Sequence, residues 1–133
     1  MPTNPTVAAL RNAARGLLYP SETDAPFKTF LWEGAGGDIS AREVLRLGKQ
    51  PPDAPVEESS LDDTFGELID ELEGQGEEEK EEAARYRNLL KVLREQLSGI
   101  KVFRVGQRKI SVYVVGKTKD GHWAGLQTIS VET

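Results

Sequence analysis

Lys109-Ile110-Ser111-Val112-Tyr113-Val114-Val115-Gly116 decides the fold. Ile110, Val112 and Val114 fall on one side of an alternating pattern, with Tyr113 and Val115 on the other. That period of two marks a β-strand. Working outward, Val102 to Val105 precedes it across Gly106-Gln107, and Trp123 to Glu132 follows it across a turn at Asp120-Gly121. Connections this short join antiparallel neighbours, so the three strands form a meander. Gly125 interrupts the last of them, where a bulge or a close backbone approach is expected.

The segments before the meander read as helices and one further strand. Asn4 is an N-cap with Pro5 at the first helical position; Val7, Leu10 and Ala14 follow at helical spacing, and Gly16 is the stop. Leu17 to Asp24 reads as a loop because Pro20 and Pro26 oppose helix and central strand. Pro26 to Glu33 is a strand with Phe27, Thr29 and Leu31 on one face and Phe30 and Trp32 on the other, so cover on both sides is expected. Ser40 with Glu43 has the capping-box pattern and predicts a helix over Ala41–Leu47. Val56 to Ser59 has room for a short edge strand. Ser60 with Asp63 starts a helix carrying Leu61, Phe65, Leu68, Ile69 and Leu72, ended by Gly74-Gln75-Gly76. Glu77 to Leu97 is the longest helix, with acids first and Arg85, Arg87, Lys91 and Arg94 later, the order that complements its dipole. The whole is an α+β domain with a mostly antiparallel sheet of about four strands flanked by helices.

At 133 residues the chain is the size of a single domain, 1–133, able to bury a core without staples. It has no cysteine, so no disulfide and no zinc–thiolate site, which suits a reducing cytoplasm. The start lacks a secretory pattern and no apolar run is long enough to span a bilayer, so a cytoplasmic protein without membrane contact is expected. The net charge of −5 is uneven. Glu57 to Glu82 holds 13 acidic residues and one basic residue, Lys80, a net of −12; the remainder carries +7. An acidic stretch repels nucleic acid and attracts basic surfaces, although many such stretches are simply solvated helix faces.

Catalytic patterns are weak. His122 is the single histidine and follows a turn. Gly34-Ala35-Gly36-Gly37 lacks the spacing and the lysine of a phosphate loop. Glu77-Glu78-Glu79 fans around its helix and does not match a calcium loop. No enzyme and no cofactor of its own is expected. Two features remain. Glu22, flanked by Ser21 and Thr23, sits in a loop pinned between Pro20 and Pro26, a stiff mount from which a carboxylate meets a partner at low entropic cost. The alternation of the last strand continues to Ile129 and Val131, so Glu132 and Thr133 are expected to be held by the sheet, presenting hard oxygens suited to magnesium or arginine donors.

Several blocks then form a pattern: Gly16-Leu17-Leu18-Tyr19, Ser21-Glu22, Pro26-Phe27, Phe30-Leu31-Trp32-Glu33-Gly34, Leu89-Leu90 with Leu93, Val112 to Gly116, Ala124-Gly125, Thr128 and Val131-Glu132-Thr133. This resembles the nuclease A inhibitor family of cyanobacteria and other bacteria. The resemblance implies a three-layer α/β/α sandwich that occludes the active site of a sugar-nonspecific, magnesium-dependent DNA/RNA endonuclease. It further implies that Glu22 and Thr133 approach the partner's metal and arginines, with no metal of the inhibitor's own, and that Gly74 and Gln75 belong to a third contacting loop. Leu72-Glu73-Gly74-Gln75-Gly76 departs from that expectation by carrying no aromatic residue. The free inhibitor is expected to be a monomer that does not bind nucleic acid. Three other readings compete. They are a module of the same fold with a non-nuclease partner, a hydrolase using Glu22 and Glu33, and a nucleic-acid binder using Arg104, Arg108, Lys109, Lys117 and Lys119.

Overall fold

Polar side chains start three helices at the predicted positions. The Asn4 side chain accepts from the amides of Thr6 (2.9 Å) and Val7 (3.3 Å) and opens α1, Pro5–Ala14. Ser40 accepts from the Glu43 amide and opens α2, Ala41–Leu47. Ser60 accepts from the Asp63 amide at 3.1 Å and opens α3, Leu61–Glu73. Each such bond satisfies a donor that the helix itself leaves unpaired. The carboxylate of Glu43 pairs with Arg46. The helix α4, Glu77–Gln96, begins at Gly76 without a side-chain cap and has three glutamates in its first turn.

The computed structural model describes residues 4–33 and 37–132. Its strands are β1 (Leu18–Tyr19), β2 (Ala25–Pro26), β3 (Lys28–Trp32), β4 (Val56–Ser59), β5 (Ser98–Val105), β6 (Lys109–Lys117) and β7 (Trp123–Val131). The architecture is mixed α+β, with four helices among the described residues. The main sheet is antiparallel and ordered β3-β7-β6-β5-β4; β1 and β2 form a separate two-stranded pair.

The meander is present as β5-β6-β7, but the count of about four strands is corrected to five in the main sheet. The fifth is β4, whose four residues, two of them glutamates, pair along β5. The loop reading of Leu17 to Asp24 is also corrected, since Leu18 pairs with Pro26 and Tyr19 with Ala25. Prolines tolerate such an edge position, where no ladder donor is required of them. The strand expected over Pro26–Glu33 is two strands with Phe27 between them. Its expected cover is incomplete: Phe27 packs on one core and Phe30 and Trp32 on the other, yet Leu31 is 39% exposed because β3 is an edge. Gly125 marks close packing rather than a bulge, for its register with Val115 is unbroken, and the register shift lies instead between Ser98 and Lys101.

Each sheet face has its own core. Leu10, Phe65, Tyr86, Leu89 and Leu93 from α1, α3 and α4 pack on Val102, Val112, Val114 and Leu126. On the opposite face Val44 of α2 packs with Phe103, Tyr113, Val115 and Trp123. Phe30 and Trp32 stack there with ring centroids 4.1 Å apart. Helices therefore lie against both faces. No described helix is long and apolar enough to cross a membrane.

Candidate functional site: an acidic groove at one end of the sheet

The inner face of β7 changes character along its length. Ala124 and Leu126 belong to the helical core; two and four residues on stand Thr128 and Ser130, buried and polar; Glu132 follows beyond the strand. On β5 the same succession runs from Val102 to Arg104. The apolar core stops there, and an open groove of about 970 Å³ begins. Its walls come from the Tyr19–Glu22 segment, β4, the first half of α3, Arg104 and Ser130–Glu132.

Five carboxylates line it, those of Glu22, Glu57, Asp63, Glu67 and Glu132; Glu58 borders it through its backbone, since it stands opposite Phe103 and its side chain is on the other face of the sheet. Arg104 is the one cation among its lining residues, with its side chain 20% exposed. It is the cross-strand neighbour of Glu57 and forms an ion pair with Glu132. The Glu132 carboxylate also accepts from the Ser130 hydroxyl at 2.9 Å, and the Glu132 amide donates to the Arg108 carbonyl at 2.7 Å. One oxygen of Glu132 is thus already engaged within the fold. Lys101 lies 3.6 Å from Glu58.

The Glu22 loop is tied to the end of β7. Ser21 Oγ accepts from the amides of Val131 (3.0 Å) and Thr23 (3.3 Å) and donates to the Thr23 carbonyl at 2.8 Å, which uses a hydroxyl's full capacity. The Glu22 amide donates to the Val131 carbonyl at 3.3 Å. Two segments distant in sequence therefore meet, with Ser21, Glu22 and Glu132 at one groove. Thr23 serves the turn itself. Thr133 lies outside the described residues. Gly74 and Gln75 do not line the groove; they stand at the far end of α3, roughly 16 Å along its axis from Asp63. Sequence reasoning missed the wall of Glu57, Asp63 and Glu67. Its signal was the acidic run, but a run of charge does not say which members share a surface.

Two competing arrangements are not assembled. Glu33 follows β3 at the end that pairs with Trp123, whereas Glu22 sits at Val131; the eight-residue step along β7 separates them by about 26 Å. A carboxylate pair working on one bond needs less than about 10 Å. The five basic residues near the meander do not form one patch, since Lys109 and Lys117 stand at opposite ends of β6 and Arg104 is enclosed by acids. His122 stands at the turn, its amide donating to Thr118 Oγ1 at 3.0 Å. Among the described residues no three or more of His, Asp and Glu are grouped to hold a metal ion.

The described residues form an α+β fold with a groove walled by carboxylates. The chain belongs to the nuclease A inhibitor-like protein family, whose family model matches residues 4–133. No curated protein matches it significantly.

Proposed function

We propose that this protein inhibits a sugar-nonspecific, magnesium-dependent DNA/RNA endonuclease by binding and occluding its active site. The observation that carries the reading is the family match over nearly the whole chain. The acidic groove adds a physical reason. A nuclease cleft must hold phosphates and is therefore basic, and a carboxylate-lined surface is complementary to it. Glu22 is mounted on the loop that Ser21 fastens to β7, so its position is set before binding. In the proposed complex Glu22 and Thr133 approach the partner's metal and arginines, and Ser21, Thr23 and Glu132 hold the surrounding surface. Gly74 and Gln75 form a separate contact at the end of α3. Helices against both sheet faces support the three-layer α/β/α sandwich that the resemblance implies, acting as one domain, monomeric when free and cytoplasmic. The inhibitor does no chemistry in this reading, and the metal belongs to the partner.

The test is plasmid degradation by a magnesium-dependent nonspecific nuclease, titrated with the protein. Stoichiometric loss of cleavage, undiminished by excess magnesium, is expected. Glu22→Ala should weaken inhibition about tenfold or more, equivalent to about 1.4 kcal/mol. Full cleavage at excess protein across nucleases of this class would overturn the proposal. Loss of inhibition on adding magnesium would reduce it to metal scavenging.

A further inference from the structure

The strand β3, Lys28–Trp32, is an edge of the main sheet. On its inner side β3 pairs with β7. β1 pairs with β2 only, through Leu18↔Pro26 and Tyr19↔Ala25, in a separate two-stranded sheet. Upstream of Leu18 the chain turns away through Gly16, at φ +77°, into α1, and among the described residues nothing pairs with the outer side of Lys28–Trp32. A groove of about 430 Å³ opens there, between the end of α1 and the start of β3, and it shares no lining residue with the acidic groove.

Its chemistry is the reverse of the acidic groove. Arg11, Arg15 and Lys28 line it, all exposed, and no carboxylate does. None of the three forms an ion pair among the described residues, in a chain whose net charge is −5. Arg11 and Arg15 complement the negative end of the α1 dipole. Lys28, on the strand, has no such explanation. Two large apolar side chains are exposed on the described molecule, Leu18 at 44% and Leu31 at 39%. Leu18 lines this groove and Leu31 lies further along the same open strand.

We propose that this groove and the β3 edge dock an extended, acidic segment of a partner protein, added as a strand beside Lys28–Trp32. The unpaired backbone would supply the ladder hydrogen bonds, Leu18 and Leu31 would receive apolar side chains, and the three cations would select acidic ones. Nucleic acid fits less well, because the aromatic rings of this strand, Phe30 and Trp32, are packed into a core and not offered for base stacking. A second copy docked through this same edge brings the same three cations to the contact and is repelled.

The probe is a fluorescein-labelled octapeptide alternating glutamate and valine, added to the full chain. Saturable binding by anisotropy is expected, with slowed amide exchange confined to Lys28–Trp32. The lysine–valine counterpart should not bind. Arg11→Glu and Lys28→Glu, each checked for native circular dichroism, should weaken binding about tenfold or more. Glu22→Ala should leave it unchanged, so this proposal and the inhibitory one fail separately. No binding of the acidic peptide, or binding indifferent to the charge reversals, overturns it. So does protection lying elsewhere in the wild-type protein, tighter binding of a single-stranded oligonucleotide at the same cations, or sedimentation showing self-association through this edge.

Discussion

Tyr86 is fully buried on α4, and its hydroxyl donates to the Leu18 carbonyl. Its ring contacts Phe65 (centroids 6.0 Å apart) and Phe27 (6.2 Å). One hydrogen bond thus anchors β1 to the helical core beneath the Glu22 loop. Burial, reinforced by the charges of Glu82, Tyr19 and Asp24, raises the phenol well above the ordinary tyrosine value. The folded-state value exceeds the unfolded one, so this stabilisation is complete below about pH 10 and is lost as pH rises further. Tyr86→Phe should cost about 1–2 kcal/mol near neutrality, since the Leu18 carbonyl loses its partner. It should also flatten the alkaline fall in stability. Urea midpoints from neutrality to strongly alkaline pH check both; parallel curves for the two proteins would show that the phenol does not carry the alkaline transition. Residues of this kind were only half legible. Tyr86 stands out in the sequence as part of a helical stripe, but its partner is 68 positions away and no local pattern announces it.

Among the elements, β6 and β7 leave no room for a side chain at Gly125. A β-carbon built there would lie 1.7 Å from the Val114 carbonyl oxygen, which is backbone and cannot swing aside. Gly125→Ala must therefore push the two central strands apart, and a loss of about 2–4 kcal/mol is expected in urea unfolding. A change within about 0.5 kcal/mol would mean that the strands separate there at little cost. The elements also show where sequence reasoning carried and where it stopped. Helix starts at Asn4, Ser40 and Ser60 were legible because a cap acts within three residues. The meander was legible because its turns are short. By contrast, β1 and β2 hide among prolines, and β4 is a strand because β5 lies beside it. The site shared that fate. Glu22 was legible from its stiff loop, whereas the acidic wall facing it exists only once β4 and α3 are docked.

The whole molecule is electrostatically divided, with carboxylates around the groove at the β4–α3 end and unpaired cations beside β3. If that division guides association with a basic nuclease, the encounter rate should be salt-sensitive while the formed complex is less so. Raising ionic strength from about 0.05 to about 0.5 M should lower the association rate about tenfold and change dissociation much less. Stopped-flow mixing with the inhibited nuclease measures both, and an association rate independent of salt would remove charge steering from the account. The order of the strands has a further consequence for how the protein is made. β3 emerges from the ribosome well before its partner β7, which follows every other strand among the described residues. Until then Phe30 and Trp32 have no finished sheet to close on. The nascent chain must carry an aromatic strand unpaired while residues 33 to 122 are made, and the Glu22 loop can be fastened only when β7 arrives.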